Sequence, residues 1–227
     1  MRVLAIDTAL AACSAAVLDT ERGGIVASES VPMMRGHAEA LIPLLERVME
    51  QSGMALADID RVAVTTGPGS FTGLRVGISA ARGIALAANK PAVGVSTLSA
   101  YAAPHLTADS ATPVVSAIDA RHEHVYLQVF AAGGRTTTTP RLATLREAVQ
   151  ATSPSPACIV GSAAQSVAAA IPKSSTPPAS VDERPAPDIA WVARLGAVAP
   201  EGQSPPKPQY LRAPDAQPQN AAQLPRR

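Results

Sequence analysis

The sequence is poor in aromatic residues and in surplus charge of either sign. Its 227 residues contain only two Phe, three Tyr and one Trp, too few for the stacking platform on which most single-strand nucleic-acid binders hold bases. Nineteen Lys and Arg stand against eighteen Asp and Glu, a formal net charge of +1, so no overall field favours nucleic acid or an anionic membrane. Any contact with RNA must be local or made through another protein.

Cysteine and long apolar runs are also scarce. Cys13 and Cys158 form neither a CxxC pair nor part of a zinc pattern, which predicts two reduced thiols. Asp7 interrupts what would have to be the apolar core of a signal peptide, and no run approaches the ~18 apolar residues of a membrane span. We expect a cytoplasmic protein with no membrane contact, and its 47% hydrophobic content is ample for a core.

The spacing of apolar residues predicts an α/β protein. Short runs of period two indicate strands, and longer runs of helical spacing indicate two helices, the first of which ends at Gly53. The first three strands follow one another and should form an antiparallel meander. The predicted elements are strands 2–7, 13–18 and 25–31, a helix over 37–53, a strand over 62–66, a helix over 71–88 and a strand over 91–95.

Part of this pattern recurs later in the chain. Ala5-Ile6-Asp7 closes the first strand and Ala117-Ile118-Asp119 closes another, and in both places a second β-rich run and a double glycine follow. We interpret this as two copies of one hairpin-plus-helix unit. The predicted units are 1–105 and 106–198, and the second includes a strand over 157–161 and a helix over 188–197.

The C-terminal residues 199–227 have a different composition, rich in proline and glutamine. Such a segment buries too little apolar surface to offset the entropy lost on ordering. We predict a mostly disordered tail, with residues 208–212 as an exception, because Tyr210 and Leu211 can anchor an extended segment on the body.

The stretch GPGSFTGLRVG, residues 67–77, lacks the spacing of three well-known loops. It has no lysine for a Walker A loop, its glycines give G-x-G-x-x-x-G in place of the dinucleotide fingerprint, and Ser70 lacks the flanking glycines of a nucleophile elbow. Ser70 or Thr72 can cap a helix. Glycines within that helix cost roughly 1 kcal/mol each relative to alanine, so close packing of another element should compensate.

Two explanations of this packing stay open at the level of sequence. The apolar positions of the helix over 37–53 span a wider arc than docking on one sheet needs, and the helix over 71–88 is polar only along Arg75, Ser79 and Arg82. Either the two helices pack on each other within the chain, or they form a surface for a partner protein.

Candidate chemical groups are few. Asp7 at a strand end, with its repeat at Asp119, is similar to the phosphate-site aspartates of the actin and hexokinase superfamily. The turn that follows Asp7 has no glycine to let backbone amides approach phosphate, so a turn-capping role is favoured. His37 is expected in the first turn of a helix, and His122 and His124 share a strand face without enough partners for a metal site.

Several motifs together resemble the bacterial TsaB family of glycoprotease-like proteins. They are Ile6-Asp7-Thr8, His37-Ala38-Glu39 with Leu41 and Pro43, the full GPGSFTGLRVG, Gly94-Val95-Ser96, Asp119-Ala120-Arg121 with Val125-Tyr126, and Pro208 to Arg212. The resemblance implies an actin-like fold of two RNase H-like halves, with mixed sheets flanked by helices.

The resemblance also implies a function through partners. TsaB-like proteins are scaffolds that pair with the catalytic paralogue TsaD, which transfers threonylcarbamoyl from its adenylate to N6 of adenosine 37 in tRNAs reading ANN codons, and the ATPase TsaE joins them. It implies a homodimer when the chain is alone, and tRNA contact only through the complex. The expected interface residues are His37, Leu41, Leu44, Leu45, Val48, Gly73, Arg75, Gly77, Ala80 and Ile84.

One departure from the catalytic paralogue is visible in the sequence. TsaD-like enzymes carry two metal-binding histidines four residues apart, and the register from Gly94-Val95 places Thr97 and Tyr101 at those positions. A hydroxyl and a phenol are poor replacements for two imidazoles. We therefore predict a non-enzymatic subunit without metal or cofactor. The alternative is an enzyme, either an ATP-dependent phosphotransferase of the actin superfamily or a metallopeptidase.

Overall fold

The structure is a computed structural model, and it describes residues 1–106, 111–153 and 155–212. Its framework is a pair of five-stranded mixed sheets, of order β3-β2-β1-β4-β5 and β10-β9-β6-β7-β8. The first sheet comprises β1 (Arg2–Asp7), β2 (Ala12–Asp19), β3 (Gly24–Pro32), β4 (Arg61–Gly67) and β5 (Ala92–Ser96). The second comprises β6 (Val114–Asp119), β7 (His124–Phe130), β8 (Arg141–Thr144), β9 (Cys158–Val160) and β10 (Ser180–Asp182).

In the part of the chain that the structure describes, six α-helices cover these sheets. They are α1 (His37–Ser52), α2 (Phe71–Ala88), α3 (Thr97–Ala102), α4 (Leu145–Ala151), α5 (Ala164–Ala169) and α6 (Ile189–Val198). The predicted antiparallel meander β1-β2-β3 is confirmed, as are both predicted long helices, with α1 ending at Gly53 in the left-handed region. None of the helices among the described residues is long and apolar enough to cross a membrane.

The central strands of the first sheet are buried on both faces. Every residue of β2 is buried, and all of β1 is buried except Arg2, which is partly exposed. On one face, Leu41, Leu44 and Val48 of α1 pack with Leu74 and Ile78 of α2 against the sheet. Because two-sided burial requires a second layer, the opposite face is covered as well.

Helix α6 supplies that second layer. Its buried residues Ile189, Val192 and Ala193 join Val3 and Ala63 in one apolar cluster on the opposite face of the first sheet. The sequence interpretation assigns this helix to the second unit, whereas its apolar side packs on the first sheet. The period of a helix shows which side is apolar, but not which of two similar sheets that side will cover.

The second sheet repeats the first strand for strand. In both sheets the first two strands pair antiparallel, and the fourth strand runs parallel to the first. The likeness extends to single residues, since Gly67 at the end of β4 and Gly161 directly after β9 have φ of 111° and 112°. The predicted repeat is therefore confirmed in topology. The unit boundaries at residues 105 and 198 remain predictions.

Residues 199–212 run back across the first half. The N–H of Gln209 donates to the carbonyl of Thr66 (2.7 Å), and the ring of Tyr210 lies 4.8 Å from that of Phe71. These contacts confirm the predicted anchor over 208–212, while the predicted disorder of the rest of the tail stays a prediction. The remainder of the predicted tail, residues 213–227, lies outside the described residues.

Candidate functional site

The stretch GPGSFTGLRVG forms the turn from β4 into α2, and it closes on the turn between β1 and β2. Ser70 is the N-cap, and its hydroxyl accepts a hydrogen bond from the N–H of Gly73 (3.3 Å). The N–H of Ser70 itself donates to the carbonyl of Ala9 (2.7 Å). The stretch thus binds a neighbouring turn of its own chain.

The helix glycines allow this approach. A Cβ at Gly73 would overlap the carbonyl oxygen of Thr8, and a Cβ at Gly77 would overlap the Thr8 hydroxyl. That hydroxyl donates to the carbonyl of Gly73 (2.7 Å). Gly73 and Gly77 therefore serve packing against the β1–β2 turn inside the chain, the internal alternative left open by the sequence.

Two backbone N–H groups of the β1–β2 turn are committed within the chain. The N–H of Ala9 donates to Oδ1 of Asp7 (3.0 Å), and the N–H of Ala11 donates to the carbonyl of Pro185 (3.3 Å). His37, buried in the first turn of α1, meets the carbonyl of Leu10 through Nε2 (3.0 Å). A phosphate-binding hairpin needs free amides at such a turn, so these residues do not fit a nucleotide phosphate.

Asp7 lies under this turn and is fully buried. Its Oδ1 accepts from the Thr65 hydroxyl and from the N–H of Ala9, while its Oδ2 has no hydrogen-bond partner among the described residues. Burial raises the pKa of this carboxyl, against the smaller effect of the two hydrogen bonds. Asp119 repeats the geometry by accepting from the N–H of Arg121 (2.8 Å), which supports the predicted turn-capping role.

We expect Asp7→Asn to stabilise the protein at neutral pH. The folded pKa of Asp7 lies above its ordinary value of 3.8, so the wild type loses stability as the pH rises from that value through the folded pKa. Asparagine keeps the acceptor oxygen and stays neutral. In thermal melting between pH 4 and pH 8, the melting temperature of the variant should exceed that of the wild type by a difference that grows to a few degrees as the pH rises. A difference that shrinks as the pH rises would contradict the raised pKa of Asp7.

Thr97 and Tyr101 occupy the positions at which the resemblance places metal-binding histidines. Thr97 is fully buried, and the hydroxyl of Tyr101 donates to the carbonyl of Arg184 (2.9 Å). Burial raises the pKa of the Tyr101 phenol far above its ordinary value, so the phenolate that could bind a metal is disfavoured. Among the described residues no group of three or more His, Cys, Asp or Glu could hold a metal ion. These residues do not fit the metal.

Seven of the ten predicted interface residues are buried within this chain. Arg75 is exposed, and Ala80 and Ile84 are half-buried. With Val76, the last two form an apolar stripe at four-residue spacing along α2 that remains partly open to solvent. The buried residues are His37, Leu41, Leu44, Leu45, Val48, Gly73 and Gly77. The part that these residues play in an interface stays a prediction.

A cleft of about 490 Å³ separates the two halves at the ends of their first hairpins. Phe71 and Tyr210 line one side of it and Arg121 the other, while Arg212 reaches across it to donate to the carbonyl of Ala120 (3.1 Å). The sequence analysis did not predict that Arg212 spans the cleft. The one signal in the sequence was the dipeptide Tyr210-Leu211 within a polar segment.

Arg61 is a second residue that sequence reasoning missed. Its guanidinium, nearly buried at the start of β4, donates to the carbonyls of Gly196 (3.1 Å) and Ala199 (2.7 Å) and to the carboxylate of Glu201 (2.8 Å). The guanidinium thus supplies hydrogen bonds to carbonyls at the C-terminus of α6, where a positive charge also interacts favourably with the helix dipole. It also fixes the start of the segment that leads to the cleft.

Two RNase H-like halves with a cleft between them define an α/β protein of the actin-like class. A family model described as TsaD, tRNA N6-adenosine threonylcarbamoyltransferase, matches residues 11–181. The chain therefore belongs to the family that this model describes.

Curated and solved relatives agree on that family. The TsaB protein of Escherichia coli (strain K12) is 44% identical over 126 residues, which are 56% of this chain and 53% of that protein. A tRNA N6-adenosine threonylcarbamoyltransferase from Erythrobacter litoralis is 41% identical over 88 residues, 39% of this chain and 25% of that enzyme. The structure of YeaZ from Pseudomonas aeruginosa superposes with a TM-score of 0.77 and 27% identity, over 92% of this chain and 99% of that one. The match spans about half the length of the curated TsaB relative.

Proposed function

We propose that this chain is a non-catalytic subunit in the synthesis of threonylcarbamoyladenosine at position 37 of tRNA. Its partner is the paralogous transferase, which moves threonylcarbamoyl from its adenylate to N6 of the adenosine. The observation that carries the proposal is the buried pair Thr97 and Tyr101, which stands where the resemblance puts two metal-binding imidazoles. The committed amides of the β1–β2 turn support the same conclusion.

The chain contributes a surface on its first half. On α2 the half-exposed stripe of Val76, Ala80 and Ile84 is apolar, and Arg75 is exposed on another side of the same helix. On α1 the side chain of Ile42 is 51% exposed. A partner that covers this apolar surface removes it from water, the usual source of association free energy. We place the transferase there, or a second copy of this chain when the transferase is absent.

The other components follow from this role. A TsaE-like ATPase joins the pair, and tRNA is held by the complex and not by this chain alone, in line with a formal net charge of only +1. Because tRNA modification takes place where tRNA is found, we place the chain in the cytoplasm.

The test combines the chain with the transferase paralogue of the same organism. Light scattering during size exclusion should detect a stable pair, and modified tRNA should form only when both proteins and an ATP-dependent source of the adenylate are present. The chain alone should contain no stoichiometric iron or zinc, and it should give no heat of binding with ATP and Mg²⁺.

The enzymatic alternatives predict different results. A phosphotransferase would bind ATP with Mg²⁺ in calorimetry, and a metallopeptidase would contain about one metal ion per chain on elemental analysis. Either result for the chain alone, or tRNA modification without the transferase, would reject the non-catalytic role.

A further inference from the structure

Arg75 is held in one position by two aromatic rings. Its Cζ lies 3.7 Å from the centroid of the Phe71 ring, one turn earlier on α2, and 6.0 Å from the centroid of Tyr210. Its Nε donates to the Tyr210 hydroxyl (3.1 Å). A long exposed arginine normally keeps its rotamer freedom, and stacking with a hydrogen bond removes most of it. The guanidinium is thus ordered before any partner arrives.

The remaining donors of this guanidinium are unused. In the described part of the chain, Arg75 takes part in no ion pair and in no hydrogen bond beyond the one to Tyr210. Its two Nη groups therefore have no partner, and the side chain is exposed on α2. Two parallel N–H donors at fixed spacing match the two oxygens of a carboxylate.

We propose that Arg75 is a preorganised receptor for a carboxylate side chain of the transferase partner, and that Tyr210 of the C-terminal segment is its positioning residue. This inference rests on the proposed function and specifies its interface. Arginine and tyrosine dominate the binding free energy of many protein interfaces. Here the guanidinium lies over the ring of Phe71, and a partner that covers this ring would exclude water from the ion pair.

A protein carboxylate fits this surface better than an RNA phosphate. Phosphate-backbone binding needs several cations along one track. Helix α2 offers Arg75 and Arg82 alone, seven residues and about 10 Å apart. A single ordered guanidinium next to apolar side chains is typical of a protein interface.

The experiment measures the Kd of the full-length chain for the transferase paralogue by calorimetry. Arg75→Lys keeps the positive charge but loses the two parallel N–H donors of the guanidinium, so we expect binding to weaken by about tenfold or more. Tyr210→Ala leaves Arg75 present but unrestrained and should weaken binding by a similar factor. Arg82→Lys, the matched exposed control on α2, should stay within about twofold of the wild type. Melting temperatures should be unchanged for the two arginine variants.

The outcomes separate this inference from the function on which it rests. A wild-type chain that does not bind the transferase would reject the pairing itself. If the wild-type chain binds the transferase and the Kd values of Arg75→Lys and Arg82→Lys are equal, the proposed receptor role of Arg75 would be rejected and the pairing itself would stand. If Arg75→Lys instead weakened tRNA binding by the assembled pair, with no change in its Kd for the transferase, the occupant would be a phosphate and the carboxylate assignment would fall.

Discussion

Replacing Gly73 with alanine is expected to destabilise the protein by about 2 kcal/mol or more, although alanine is the better helix former. The added Cβ would overlap the backbone carbonyl oxygen of Thr8. A backbone atom at the end of a buried strand has little freedom to retreat, so α2 must move away from the β1–β2 turn. For a chain of this size the melting temperature should fall by roughly 5 °C or more.

Gly83→Ala is the matched control on the same helix. A Cβ at Gly83 meets nothing within 4 Å, so only the gain in helix propensity remains, and stability should rise by about 0.5 to 1 kcal/mol. Stability changes of opposite sign for Gly73→Ala and Gly83→Ala would establish that Gly73 is required for close packing and that Gly83 is not. A Gly73→Ala variant as stable as the wild type would show that the β1–β2 turn is not pressed against α2.

Arg61→Met is expected to cost about 2 to 4 kcal/mol of folding free energy. Methionine keeps the apolar stem but leaves the carbonyls of Gly196 and Ala199 without their donor, and each buried unpaired carbonyl costs about 1 to 3 kcal/mol. The melting temperature should fall by roughly 10 °C. Limited proteolysis should also cut within residues 199–212 sooner, because the guanidinium fixes the start of that segment.

Glu201→Gln separates the carbonyl contacts from the ion pair. The side chain of Glu201 is 59% exposed, and exposed pairs contribute little, so this variant should lose less than about 1 kcal/mol. Equal losses for the Arg61 and Glu201 variants would mean that the ion pair, and not the capping of α6, provides the stabilisation.

The fold was predictable from sequence where elements are long or strongly periodic. Strands β1 to β5, both long helices and the repeat around Asp7 and Asp119 follow from apolar spacing. The pattern missed the short elements β8, β10 and α3 to α5, each of seven residues or fewer. Fewer than two helical turns give too few apolar repeats to define a period. Tertiary packing, not local preference, holds such elements in place.

The candidate site was predictable in its residues more than in their roles. The motif GPGSFTGLRVG was singled out, yet the pattern could not distinguish a glycine that meets Thr8 from one that meets another protein. Burial on a helix face looks the same in both cases. The contact of Arg75 with Tyr210 joins residues 135 positions apart, and no local spacing contains that information.

The repeated helices have unequal lengths. In the first half α1 and α2 have 16 and 18 residues, whereas their counterparts α4 and α5 have 7 and 6. Within the described residues the second half thus has no long pair of helices to offer. Under the proposed function, an interface on α1 and α2 would make this chain monovalent, because assembly would end after one partner and yield closed pairs and not filaments. A self-pair and a mixed pair would then compete for the same surface, and the ratio of the two proteins would decide which one forms.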